Sequence, residues 1–218
     1  MKIAANKALL AITAITAIFA VISQLYLALV HSQTSVFEAI INFFSYFTIE
    51  NNFLVAACSI VVLLAPASSW GRFFSRPTTL SAITVYIFIV GLVYNLVLRS
   101  IWNPTGFPRV VDELLHVVVP LLFLFYWIFF VPKANLNWNI SWWLIFPTVY
   151  AIYTFTRGAV TNWYPYPFLD MNKLGTQQVI LNTCGLVAVF LIFSLLFIAV
   201  GKLLSRAASP KPFPKERT

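Results

Sequence analysis

The sequence predicts an all-α polytopic membrane protein, a bundle of six transmembrane helices with both termini cytoplasmic, on the strength of three observations. The chain is 61% hydrophobic and only 9% charged, where a soluble domain carries about a quarter charged residues. Its few charges leave six charge-free stretches long enough to cross a bilayer, and its Lys and Arg residues fall unequally on alternate loops.

The stretches run from Ala8 to Phe37, Asn51 to Gly71, Pro77 to Leu98, Leu114 to Pro132, Ala134 to Thr156 and Leu174 to Gly201. Each can cross roughly 30 Å of hydrocarbon at about 1.5 Å per residue. The alternating ten-residue segments of a membrane barrel are missing. The first span takes Ala8 to Val30. Lys2 and Lys7 ahead of it could belong to a signal peptide, but the run is too long and no small-x-small cleavage site follows, so a retained helix is expected. A short amphipathic piece, Val36 to Phe47, leads into a second span ending near Ala65, stopped by Pro66. The third span covers Thr79 to Leu98. A turn-rich loop, Trp102 to Pro108, precedes the fourth, Val110 to Val131, closed by Pro132. The fifth runs from Ile140 to about Thr161 and the sixth from Thr176 to Leu204. Between them, Trp163 to Asp170 is rich in aromatic residues and proline, as suits the headgroup layer. Residues 1–207 thus read as one transmembrane domain, and 208–218 as a disordered, basic, Pro-rich cytoplasmic tail.

Of the 14 Lys and Arg residues, Lys2, Lys7, Arg72, Arg76, Lys133, Lys202, Arg206, Lys211, Lys215 and Arg217 fall on one side, and Arg99, Arg109, Arg157 and Lys173 on the other. That bias places both termini in the cytoplasm, and the +8 net charge adds attraction to anionic lipid. The scattered basic residues do not make a nucleic-acid surface. Cys58 and Cys184 lie inside spans, without disulfide or metal spacing. Nothing in the chain specifies an oligomeric state.

Counting each span from its cytoplasmic end places the polar side chains in one outer layer. Thr48, Glu50, Asn51 and Asn52 lie in the first two turns of the second span. His116 sits roughly 6 Å below Asp112, with Asn95, Arg157 and Asn182 at similar depth and Glu113 just above. Ionisable groups in a bilayer need a cavity, water or a partner, so these residues predict a shared polar pocket. The plainer reading has them joining helices, with Arg157 and Glu113 snorkelling to the interface.

His116 is the histidine placed within a span, and a neutral imidazole there can act as a general base. A metal site would have to draw on His116, Glu113, Asp112 and His31, and no His or Cys pair has ligand spacing; neither a metal nor a cofactor is expected. Thr48 offers a hydroxyl at equal depth, so Thr48 and His116 would make a minimal acyl-transfer pair. A threonine bonding its own helix is the plainer fate. Thr48, Asn51 and Asn52 share one helical face, where the amides could stabilise an oxyanion. Glu50 lies off that face, which makes Arg157 or Arg99 its expected partner. A second class stays open: a binding or transport protein whose Glu50 and Arg157 recognise a charged ligand. A third is a structural subunit.

The stretch Tyr46-Phe47-Thr48-Ile49-Glu50-Asn51-Asn52, Glu113-Leu114-Leu115-His116 with Pro120, and Trp163-Tyr164-Pro165-Tyr166-Pro167-Phe168-Leu169-Asp170 together resemble the androgen-induced and androgen-dependent membrane proteins, six-span hydrolases with distant bacterial relatives. The resemblance implies a hydrolase of fatty acid esters of hydroxy fatty acids that uses an intramembrane threonine nucleophile and a histidine base without metal. Those roles map onto Thr48 and His116. The lipid or fatty acyl ester substrate is what this resemblance implies; the Glu50-Asn51-Asn52 run after the threonine departs from it in looking bacterial, which implies an inner-membrane location.

Overall fold

The computed structural model describes residues 2–208; from residue 209 onward the expected tail lies outside them. Every regular element among these residues is helical. In order they are α1 (Lys2–Val30), α2 (Val36–Phe44), α3 (Phe47–Leu64), α4 (Ser69–Phe74), α5 (Pro77–Val93), α6 (Phe107–Glu113), α7 (Val119–Phe130), α8 (Ser141–Thr161) and α9 (Met171–Ala208). A π-helical turn, Tyr94–Leu98, extends α5, and a second, Leu114–Val118, joins α6 to α7. The amphipathic piece expected over Val36 to Phe47 is two elements. α2 ends at Phe44, and Tyr46, in extended conformation, starts α3.

Five segments are long and apolar enough to cross a membrane: Ile3–Val30, Phe47–Leu64, Pro77–Leu98, Phe107–Phe130 and Met171–Ala207. α8 has 21 residues, but Pro147, Arg157 and four threonines dilute its hydropathy. Helix α5 forms the centre of the bundle. It is buried almost all round, from Leu80 to Gly91, as expected of a helix hydrophobic on every side, and it packs against α3, α7 and α9. On the flank, α1 lies along α3, and its buried Ala14, Ala17 and Ala20 are small residues of the kind that let backbones approach.

Prolines and a glycine shape the backbone around His116 and Trp143. Pro120 has no N–H to donate to the carbonyl of His116 one turn earlier, and the ladder there widens so that Val119 N–H bonds Leu114 O instead. Opposite, Gly91 lets α5 come close; a Cβ there would lie 2.9 Å from the His116 carbonyl oxygen. In α8, Pro147 likewise frees the carbonyl of Trp143, which accepts from the Tyr86 hydroxyl at 2.6 Å. That bond spares a buried backbone acceptor the cost of going unpaired.

Candidate active site

The elbow between α2 and α3 sets the position of Thr48. Tyr150 of α8 donates to the Ser45 carbonyl (2.9 Å), and the Tyr153 hydroxyl pairs with Ser45 Oγ (2.8 Å). Thr48 follows in the first turn of α3, where backbone N–H groups have no partner within the helix. Its N–H donates to the Tyr166 hydroxyl at 3.2 Å. Elsewhere, Thr13, Thr84, Thr161 and Thr183 each donate to the carbonyl four residues back. Thr48 does not: its Oγ1 lies 3.4 Å from His116 Nε2 and 3.4 Å from the Tyr166 hydroxyl.

His116 lies within the π-helical turn, held from three sides. Its Nδ1 lies 2.9 Å from the Asp112 carbonyl oxygen and 3.1 Å from Asp112 Oδ1. Both are acceptors, so in the neutral ring the proton belongs on Nδ1, the tautomer that turns the Nε2 lone pair toward Thr48. The Tyr94 ring stacks on the imidazole, centroids 3.9 Å apart and planes 15° from parallel. The Tyr94 hydroxyl donates to Asp112 Oδ2. The Thr48 hydroxyl, the His116 imidazole and the buried Asp112 carboxylate therefore stand in a row, the order of groups in a hydroxyl, imidazole and carboxylate triad. Each π-helical turn contributes one of the two stacked rings, and such bulges recur at functional sites.

Thr48, Tyr94 and Tyr166 form the polar end of a cavity of about 500 Å³. The remaining wall is almost wholly apolar, with Phe47, Ile89, Leu144 and Phe190 among its lining. On α8 the lining runs from Leu144 to Thr156, about 18 Å along the axis at 1.5 Å per residue. Ile152 and Val187 also line it, yet they remain 63% and 52% exposed. The cavity is thus open sideways between α8 and α9.

The other residues singled out in the sequence divide sharply. Asn52 is fully buried and its amide bridges the carbonyls of Thr48 (2.8 Å) and Leu115 (3.1 Å), clamping α3 to the turn that carries His116. Asn51 donates to Phe47 O at 2.7 Å. The expectation that these two amides serve an oxyanion is corrected for Asn52, whose two N–H donors are both committed to backbone carbonyls; Asn51 commits one of its two to its own helix. Asn95 is exposed and bonds Gly91 O at 2.7 Å, so it does not belong to the pocket. Glu113 is also outside it, bound by Arg99 at 2.7 Å and Arg109 at 3.0 Å. Arg157 donates to Asn42 Oδ1 at 2.5 Å and lies over the Trp163 ring. Neither Arg157 nor Arg99 pairs with Glu50, contrary to expectation; the half-buried Glu50 carboxyl makes no hydrogen bond or salt bridge among the described residues. Asn182 donates to Phe168 O at 2.8 Å, tying the loop before α9 to that helix beside the cavity.

Three participants are not apparent from the sequence. Asp112 has a signal, its i, i+4 spacing to His116 on a helix, but its type suggests only a metal ligand. Tyr94 has none. Tyr166 reads as part of a headgroup belt. His31 bonds its own helix at Leu27 O (2.9 Å), and no group of three or more His, Cys, Asp or Glu side chains arranged to hold a metal occurs among the described residues. No family model, curated protein or solved structure matches the chain.

Proposed function

We propose that this chain is a six-span integral membrane hydrolase of long-chain acyl esters, with Thr48 as nucleophile and His116 as base. In this reading it is a bacterial-type relative of the androgen-induced and androgen-dependent family, set in the inner membrane. The five apolar segments and α8 make six crossings, which return both termini to one side, and the Lys and Arg bias makes that side cytoplasmic. The observation that carries the chemistry is Thr48 Oγ1, not bonded back to its own helix, 3.4 Å from His116 Nε2 at the polar end of an apolar cavity. Separations of this kind tighten when substrate closes the site.

His116 Nε2 takes the Thr48 proton as Oγ1 attacks the ester carbonyl carbon, and the negative charge moves to the carbonyl oxygen. Collapse breaks the bond to the alcohol oxygen, which leaves with the proton from His116, and an acyl ester remains on Thr48. Water then attacks that ester, giving its proton to His116, and the carboxylic acid departs as Oγ1 is reprotonated. The Asp112 carboxylate stabilises the imidazolium formed at each attack. A methylene takes up about the volume of a water molecule, roughly 30 Å³, so the cavity accommodates a single acyl chain of about sixteen carbons.

The purified chain in nanodiscs should hydrolyse a fatty acid ester of a hydroxy fatty acid, and a fluorophosphonate should label the Thr48 peptide. Thr48→Ala and His116→Ala should each reduce turnover to background, while Thr48→Ser keeps the hydroxyl and retains it. Undiminished turnover in both alanine variants would remove the proposal.

A further inference from the structure

Ester hydrolysis places negative charge on the former carbonyl oxygen, one carbon from Thr48 Oγ1, and that charge needs a donor already in place. Of the two amides nearest in sequence, Asn52 spends both N–H groups and Asn51 one of its two on backbone carbonyls, and neither lines the cavity, whereas Tyr166 does. We propose that the Tyr166 hydroxyl is the oxyanion donor, a catalytic residue of the hydrolysis that the Thr48 and His116 reading describes and on which this inference rests.

The geometry limits what this hydroxyl can do. Its oxygen accepts the Thr48 N–H at 3.2 Å, and its one proton has Thr48 Oγ1 within reach at 3.4 Å. With the Thr48 proton given to His116, the Tyr166 proton is the one left to point at Oγ1, toward the corner where an ester carbon bonded to Oγ1 will sit. When Oγ1 acylates it becomes a poor acceptor, and the adjacent oxyanion is the stronger one. Tyr166 and Thr48 line the same cavity, so an acyl group on Oγ1 shares that space with the phenol. Burial pushes its phenol up to about 12, so the proton stays in place across the neutral range.

The donor is also held rigidly, which distinguishes an oxyanion hole from an incidental hydroxyl. The Tyr166 ring stacks on Phe168 (5.2 Å, 11°) and meets the edge of Tyr46 (5.6 Å, 86°). Pro165 and Pro167 on either side fix their own φ angles. Tyr164 lies against Gly158, where a Cβ would come within 2.0 Å of the Tyr164 ring. Asn182 holds the Phe168 carbonyl. These contacts fix a short loop against α3, α8 and α9.

The test is Tyr166→Phe in the full chain in nanodiscs, with long-chain ester turnover and inhibition by a trifluoromethyl ketone of the same chain. kcat should fall about 10²- to 10³-fold with KM within threefold, and the ketone, which binds as a charged tetrahedral adduct, should weaken by the same factor. The pH midpoint of kcat/KM should not move. A kcat within threefold of wild type would overturn the assignment, as would a lost kcat with ketone affinity intact. A ring-fluorinated tyrosine at 166 preserves packing while making the phenol more acidic. Its turnover should collapse as pH passes the lowered phenol pKa, and turnover indifferent to that ionisation would equally overturn it. Thr48→Ala separates the two readings: activity surviving there defeats the hydrolase proposal, whereas activity lost there but kept in Tyr166→Phe defeats only the oxyanion donor.

Discussion

Replacing Asp112 by asparagine removes a charge while leaving the shape of the site intact. Asparagine Oδ1 can still accept from His116 Nδ1, now 3.1 Å from the carboxylate, and its amide can donate to Tyr94 in place of the bond Tyr94 now makes to Oδ2. What disappears is the anion beside an imidazole that, in the proposed hydrolysis, becomes cationic at each attack. A hydrogen bond to a charged group contributes about 1.5–3 kcal/mol, which is roughly 10- to 150-fold in rate. The Asp112 carbonyl, 2.9 Å from the same Nδ1, is untouched by the substitution and keeps the tautomer correct. The expected loss in kcat is therefore in the lower part of that range, about 10- to 50-fold. It should be well short of the roughly 10²- to 10⁴-fold that removing a general base costs. Single-turnover hydrolysis of a long-chain ester by Asp112→Asn, His116→Ala and wild type, with thermal midpoints measured in parallel, resolves the three. Equal kcat in Asp112→Asn and wild type would refute the orienting role. A loss as large as that of His116→Ala, with the fold intact, would refute the share given to the backbone carbonyl.

Two further outcomes are expected from the cavity and from the opposite end of the bundle. Ile152 lines the opening between α8 and α9 while remaining 63% exposed, so Ile152→Trp should raise KM for a long-chain ester about tenfold and leave a short-chain ester unaffected; equal effects on both would show that substrate does not use this gap. Lys133, just beyond α7, is buried against the carbonyls of Ile128 and Val131, and desolvation lowers its ammonium to about 8. Below that pH both folded and unfolded chains hold the proton, and the folded one bears the cost. Between about 8 and the unfolded value near 10.4 only the unfolded chain holds it, so stability should rise with pH. The thermal midpoint of wild type should climb relative to Lys133→Met across that window, and parallel curves would show that the lysine is not desolvated.

The main lines of the bundle are legible in the sequence because a bilayer demands long apolar helices and penalises stray charge. Charge-free runs locate the long helices, and counting depth puts Thr48 and His116 at one level. The partners are not legible. Depth alone matches Glu50 to Arg157, yet Arg157 reaches Asn42 because α2, a short separate helix, brings that amide to it. Periodicity assigns Asn51 and Asn52 to one face, but which atoms they serve depends on how closely α3 approaches the Leu115 carbonyl. The widened turns at Tyr94–Leu98 and Leu114–Val118 add to the difficulty, since each extra residue rotates the remainder of the helix by about 100° and defeats face counting along a regular helix.

By itself, then, the amino-acid order determined the apolar character of the chain, the places of its long helices and the order of polar groups along them, because those depend on composition along one dimension. Tertiary structure alone decided that a loop tyrosine would stand over Thr48, that Tyr94 would reach Asp112 and stack on His116, and that α8 and α9 would leave a gap. Such contacts depend on the rotation and spacing of helices far apart in the chain. Packing of the whole bundle sets those quantities, and no single segment encodes them.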